Sequence, residues 1–501
     1  MSRFRGPLAD SYAAAAALVV FALVPYLVLT AALGPLTPVI GKSLDLSAQA
    51  LQLTDGMANA AYAIGTVLAV QFASHLPARR MLLLYSTLFV IASVLTALAF
   101  TPGLYIAGHI LQGLLTSLML IAAVPPLVIG WPTKRMPWTG GIMNMCIFGA
   151  VAAGPAVGGV QAASGTWRTL FWLVAASGLV AWVFVLATYE DQEPQDLTAP
   201  WDRTALLLAA GGCSCAFFGV SELETHPFMS LLVFLPLIVG LAAIAGLVVH
   251  QFGARRPLMP VRIMASTKPV AGIIVALCAG AASFAAIELV ELVLQKTTTP
   301  GHAAMLWWPQ LGGAVVSAFL FGVLFRRRAM PLLPLLGMAL IGAGVAVVTG
   351  VSRGPEVLVI VGSGLLGLGV GASVSPALFV AGFSAPSGQI QRVFALIELL
   401  RAVAAFMAAP VIVHIAMTTD GGPDGSGIET GLWICLGIAA AGGLGAMYVW
   451  VLGRARLEKP DLERWEAGEE PAWHSPRLLA GIRPRRHIED LPIWPGAAMR
   501  R

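Results

Sequence analysis

Glu288 and Glu291 stand three residues apart in the apolar run IELVELVL, and Glu398 and Arg401 repeat that spacing in ALIELLRAV. Residues three apart share one face of a helix. An ionisable side chain in lipid costs several kcal/mol unless it faces protein or water, so each is a candidate for function. Two acids on one dry face disfavour the doubly ionised state, through burial and like charge, and so make proton uptake at neutral pH feasible. The Glu398–Arg401 pair reads as an ion pair that locks its helix, or as a switch in which protonating Glu398 frees Arg401. His109, also in an apolar run, is either a neutral packed ring or a group that exchanges a proton near neutral pH. Asp55, in Thr54-Asp55-Gly56, is expected to cap a helix at the outer surface, with a role in proton coupling or substrate binding as the alternative. Glu291 lies near an outer helix end, where solvation is as ready a reading as burial. Trp307 and Trp308 suit interfacial anchors, or an aromatic wall for a planar cation.

These residues need an apolar scaffold, and the composition supplies one. Hydrophobic residues make up 58% of the chain and charged residues 11%, against about a quarter charged in soluble domains. Hydropathy places helices at about 12–33, 51–73, 81–100, 103–129, 139–162, 169–188, 204–222, 229–250, 270–293, 303–325, 330–350, 356–382, 388–417 and 430–453, each near the roughly 20 residues a span requires. The first run is too long for a signal-peptide core and reads as an uncleaved span. Five cysteines (Cys146, Cys213, Cys215, Cys278, Cys435) fall in apolar segments without a His/Cys cluster, so they read as small helix residues, with neither metal nor disulfide expected.

With the N-terminus inside, 15 basic residues fall in inner loops and 4 in outer ones. The inner set is Arg3, Arg5, Arg79, Arg80, Lys134, Arg135, Arg203, Arg255, Arg256, Arg262, Lys268, Arg326, Arg327, Arg328 and Arg392; the outer set is Lys42, Arg168, Lys296 and Arg353. The asymmetry puts both termini in the cytoplasm of a multi-pass plasma (inner) membrane protein. It also accounts for the net charge of +5 without nucleic acid. The loop 189–203 is acidic, which weighs little in that rule. Beyond Leu452 the chain becomes charged and proline-studded, reading as a solvated or membrane-surface tail or a docking element. Arginine-rich turns after QFASHLPARRMLLL (71–84) and FGVLFRRRAMPLL (321–333) hint at an internal repeat of two parallel halves.

The sharpest local pattern is Gly154-Pro155-x-x-Gly158-Gly159, in which proline bends a helix and small residues admit a second backbone. With Gly165-Thr166-Trp167-Arg168, Leu111-Gln112-Gly113, Arg255-Arg256-Pro257-Leu258-Met259-Pro260 and Leu400-Arg401, it resembles the major facilitator superfamily, and with fourteen spans its drug/proton antiporter branch. The resemblance covers roughly residues 12–453. It implies an all-α polytopic membrane protein of the major-facilitator type, with two six-helix bundles and two inserted helices. The expected division is a cytoplasmic N-terminus (1–11), an N-terminal bundle (12–188), a linker with the inserted pair (189–268), a C-terminal bundle (269–453) and a cytoplasmic tail (454–501). It further implies that the ninth helix lines the central cavity, and that the fifth-helix motif belongs to exporters.

The chain departs from the family at telling places. The loop after the second helix carries His75 where an acid is usual, the fourth helix has His109 where Arg-x-x-Gln-Gly is usual, and the run 27–40 lacks the first-helix Asp. Proton coupling would therefore fall to other groups, with Glu288 foremost. The expected function is proton-coupled efflux of a small amphipathic drug or metabolite by alternating access, from a monomer without cofactors. An organic-anion symporter using Arg401, or a non-transporting sensor or scaffold, are the alternatives. No phosphate-binding Gly-x-x-x-x-Gly-Lys-Ser/Thr loop is present, so ATP drive within this chain is not expected, and no motif suggests an enzyme.

Overall fold

A computed structural model describes residues 5–190, 199–352, 354–419 and 426–478. Arg3, Arg353, most of the acidic loop 189–203 and the tail beyond 478 lie outside the described residues. Fourteen helices are long and apolar enough to cross a membrane: α1 (Tyr12–Leu44), α2 (Ala48–His75), α3 (Ala78–Ala97), α4 (Pro102–Ile129), α5 (Thr133–Ser164), α6 (Trp167–Thr188), α7 (Arg203–Glu224), α8 (Leu231–Gly253), α9 (Thr267–Thr297), α10 (Pro300–Leu324), α11 (Met330–Val348), α12 (Val357–Phe383), α13 (Ser387–Thr418) and α14 (Gly427–Leu452). Among the described residues no strand occurs, only an isolated bridge between Ser266 and Arg477.

All fourteen expected spans are present, but α1 runs eleven residues past its expected end at 33, through Pro35 and Pro38. Proline removes one helical hydrogen bond, and a bundle tolerates the loss when neighbours cover the bend. Both α1 and α2 start at serines whose side chains accept backbone amides: Ser11 from Ala14 at 3.3 Å and Ser47 from Ala50 at 3.1 Å. The chain alternates between two faces. The arginine-rich loops and both ends of the helical array share one of them, here called the basic face.

Packing sorts the helices into groups. Helices α1 to α6 pack among themselves, α9 to α14 do the same, and α7 and α8 pack on each other and, through α7, on α2. The two large groups meet chiefly along α5 with α10 and along α2 with α13.

The glycine motif explains one seam. A Cβ on Gly154 or Gly158 would run into Ala31 or Ala32 of α1, and one on Gly159 into Pro300 and Ala304 of α10. One helix face thus lies against α1 while the adjacent edge crosses to the other half. One turn earlier, Met145–Gly149 forms a wider π turn, a distortion that recurs at functional sites. Gly154→Leu is expected to destabilise the fold by about 3 kcal/mol through overpacking. Gly312→Ala, where a Cβ meets nothing within 4 Å, should leave the melting temperature unchanged or slightly raised. Thermal unfolding in detergent reads both.

The inserted pair is tied down at the basic face. Asp202 caps α7 through the Ala205 amide at 2.9 Å and accepts from Gln251 Nε2 at 2.7 Å and His250 Nε2 at 3.0 Å. Its own amide donates to Gln71 Oε1 on α2 at 3.1 Å. His75, where the family has an acid, bonds the Ala199 carbonyl at 2.9 Å and stacks on Trp201, so it too ties α2 to the segment ahead of α7. Burial pushes the Asp202 carboxyl up, but hydrogen bonds from Ala205, Gln251 and His250 outweigh it and hold the group below the usual range. Its contribution to stability is therefore full above about pH 4, the ordinary Asp value, and is lost as pH falls through the lowered value. Hydrogen exchange across α7 and α8 should accelerate in that acid range in the native protein. In Asp202→Asn it should already be fast at neutral pH.

Candidate functional site

Along their helices, Asp55 (α2), His109 (α4) and Glu288 (α9) each stand six or seven residues from the helix midpoint, on the side away from the basic face. At 1.5 Å per residue that is about 10 Å, so the three share one level. Tyr62, Glu398 and Arg401 lie near the middle of α2 and α13. The polar groups inside the bundle thus form two tiers.

In the upper tier, Asp55 does not cap its helix, as the sequence suggested; Ser47 takes that place, and Asp55 sits two turns further in. There its Oδ1 comes within 3.4 Å of His109 Nε2, with the imidazole buried and the carboxylate 27% exposed. Tyr105 stacks on the imidazole, ring centres 5.9 Å apart, and Tyr26 lies 6.1 Å away. The other ring nitrogen faces Gln112 Oε1 at 3.4 Å, and Gln112 donates to Ser93 at 2.9 Å.

Glu288 keeps partial exposure deep among the helices. Asp55 of α2 stands at the same level, and Glu224, at the outward end of α7, is exposed. Glu291, one turn further on, is buried rather than solvated, and accepts from Trp307 Nε1 at 2.8 Å. Trp307 is therefore neither an interfacial anchor nor an open wall: it is fully buried and fixes Glu291. Trp308 is 47% exposed and continues the outward stripe of Met305, Val316 and Phe319, so it faces the bundle exterior and not a cavity.

In the middle tier Glu398 and Arg401 form the expected i,i+3 pair. Arg401 donates to Glu398 Oε2 from Nη2 at 2.6 Å and from Nε at 3.1 Å, both side chains being 4% exposed. Tyr62 on α2 donates to the same oxygen at 3.4 Å, which carries the pair across to the other half. Arg401 is thus engaged by a carboxylate of its own helix.

Below the pair, toward the basic face, the halves are closed. Asn144 Nδ2 on α5 bonds the Gly371 carbonyl on α12 at 3.0 Å, and Gln391 Nε2 on α13 bonds the Ile121 carbonyl on α4 at 3.1 Å. Between them remains a cleft of about 20 Å³, lined by Ile121, Met143, Ser375, Leu378 and Phe379 with Glu398 at its head, room for one water. At the opposite end Gly34, Glu224 and Gln295 are exposed.

Two tiers of buried polar groups between two helix groups, closed at one face, suit passage of a solute through the bundle. The family model described as Major Facilitator Superfamily matches residues 19–409. The chain belongs to the major facilitator superfamily. Its fourteen helices and its relatives are consistent with the drug/proton antiporter branch. Over 242 residues it is 25% identical to the uncharacterized MFS-type transporter YubD of Bacillus subtilis, covering 47% of each chain. It is 23% identical over 241 residues to the tetracenomycin C resistance and export protein of Streptomyces glaucescens, covering 48% of this chain and 45% of that one. With the probable multidrug resistance protein EmrY of Escherichia coli it shares 22% over 246 residues, covering 48% and 47%. The chain spans about half the length of these curated relatives.

Sequence reasoning missed Tyr62 and Glu224. Glu224 sits in a turn that reads as surface loop, and Tyr62 has no charged neighbour in sequence. An i,i+3 charge pair near the middle of a span could have prompted a search for a hydroxyl on the facing helix.

Proposed function

We propose that this protein is a proton-coupled exporter of small amphipathic cations, in which Glu288 exchanges a proton for substrate. The observation that carries this reading is that Asp55 of α2 and the partly exposed Glu288 of α9 stand at one level of the bundle, one in each half. Their combined negative charge is relieved by a proton or by a cation, and once either binds the attraction for the other weakens. Competition for one charge is what antiport requires. Helices α2 and α9 bring these groups from the two halves, so rocking of the halves changes their spacing and thereby the preference between proton and cation.

The relatives' names point the same way, to export and to resistance. The basic face is then cytoplasmic, the membrane is the plasma membrane, and the partly exposed upper tier opens outward. Asp55–His109 takes the place of the missing first-helix acid as a second proton-holding pair. Glu398–Arg401 is structural, holding α13 to α2.

The test is uptake of a fluorescent lipophilic cation into inside-out membrane vesicles energised with a proton gradient. Accumulation that collapses with a protonophore supports the reading. Accumulation that is unaffected by the protonophore, or no accumulation across a panel of such cations, contradicts it.

A further inference from the structure

Residues 454–478, the described part of the tail, do not behave as the solvated segment their composition suggested. Residues 454–478 fold back across the basic face, reversing at Gly468 with φ +76° and closing on themselves through Asp461 N to Ala472 O at 2.9 Å. Trp465 and Trp473 are fully buried in this strap. Trp465 packs on Phe383 at the end of α12, ring centres 4.1 Å apart, and donates to the Ala385 carbonyl at 2.9 Å. The Ala472 amide bonds the Phe383 carbonyl at 2.8 Å.

A second anchor lies at the start of α9. There the Thr267 amide donates to Pro476 O at 3.0 Å and the Lys268 amide to Ser475 Oγ at 3.0 Å. The fully buried Lys268 ammonium has Glu458 of the strap as its nearest carboxylate, at 4.0 Å. All these contacts are with the C-terminal half. The helical turn Leu462–Glu466, however, rests on Thr133–Arg135 at the start of α5, in the other half.

We propose that residues 454–478 are a latch: hinged on the C-terminal half by Trp465 and Trp473, and caught on the N-terminal half at Thr133–Arg135, it holds the basic face closed. The mechanical link is short. Phe383 touches Trp465 on one side and Phe379 on the other at 5.5 Å, and Phe379 lines the closed cleft. The catch is one short turn against another while the hinge is buried and aromatic, so the strap parts from the N-terminal half first. Opening of the basic face in any alternating-access cycle then requires release of the catch, which makes the strap a brake on that step. This rests on the transport reading only for its consequence.

The test reads the cleft directly and needs no transport. A Ser375→Cys reporter in the cleft is labelled in detergent-purified protein with a bulky polar maleimide, and protein without the reporter sets the background from the five native cysteines. Trp465→Ala should raise the labelling rate about tenfold, equivalent to about 1.4 kcal/mol. A disulfide between Lys134→Cys and Glu463→Cys should depress labelling at position 375, read by mass spectrometry of that peptide, below that of the reduced form, and reductant removed before labelling should restore it. An unchanged rate in Trp465→Ala, or equal rates in the linked and reduced forms, overturns the latch. If Trp465→Ala fails to fold, the disulfide pair decides alone. Because labelling needs neither proton nor substrate, failure of the antiport reading would leave this result standing.

Discussion

Arg401→Leu is expected to destabilise the protein by about 3–5 kcal/mol, the cost of leaving a buried charge without its partner. Both members of the pair are 4% exposed, and among the described residues Glu398 has as donors Arg401 and the more distant Tyr62 hydroxyl. Removing the guanidinium strands the carboxylate among Leu120, Val124 and Phe394, which line the adjoining cleft. Replacing both residues by apolar ones, Glu398→Met with Arg401→Leu, removes the charge as well as the partner. Buried pairs replaced in this way are often neutral or stabilising, so the double variant should recover most of the loss. Thermal unfolding in detergent measures the three proteins side by side. Additive losses would show that the pair does not act as a unit. Tyr62→Phe should cost far less, since its bond to Glu398 is long at 3.4 Å.

Glu288→Gln is expected to reduce cation export to the rate seen without a proton gradient, while leaving the unfolding temperature near that of the native protein. Glutamine keeps the shape and removes the charge for which, in the proposed exchange, proton and cation compete. Glu288→Asp should retain part of the gradient-driven rate. Glu291→Gln makes an informative contrast, because Glu291 is held by Trp307. It should alter stability more than coupling. Comparable loss of coupling in both variants would move the exchange site outward to Glu291. Loss in Asp55→Asn or His109→Gln with Glu288→Gln unaffected would move it to the other half.

The helices and their alternation were legible because lipid leaves so few solutions. A chain of long apolar runs with arginines in every second turn can only be a helical bundle with one basic face. The Gly154–Gly159 motif was legible for a similar reason, since small residues around a proline permit close backbone approach, and α1 and α10 occupy that space. Glu398–Arg401 followed from i,i+3 geometry within one helix.

What stayed hidden depends on pairings between helices. Thr54-Asp55-Gly56 reads as a helix cap, but the helix begins at Ala48 with Ser47 as its cap, which leaves Asp55 inside, against His109. Tyr62 meets Glu398 across 336 positions of sequence, and no periodicity within a single segment reports that. Trp307 stood near a helix end, where tryptophan ordinarily marks the interface, yet a buried carboxylate one helix away claims its indole. The strap was masked by its own composition, since charge and proline conceal two tryptophans whose partners lie on α12.

The most direct test of proton–cation exchange uses purified protein in liposomes without an imposed proton gradient. The liposomes are loaded with a fluorescent lipophilic cation, diluted into cation-free buffer, and followed with an internal pH dye. Exchange requires the interior to acidify as the cation leaves, in the native protein and not in Glu288→Gln. Cation efflux through the native protein with no change in internal pH, or acidification that persists in Glu288→Gln, would contradict the assignment.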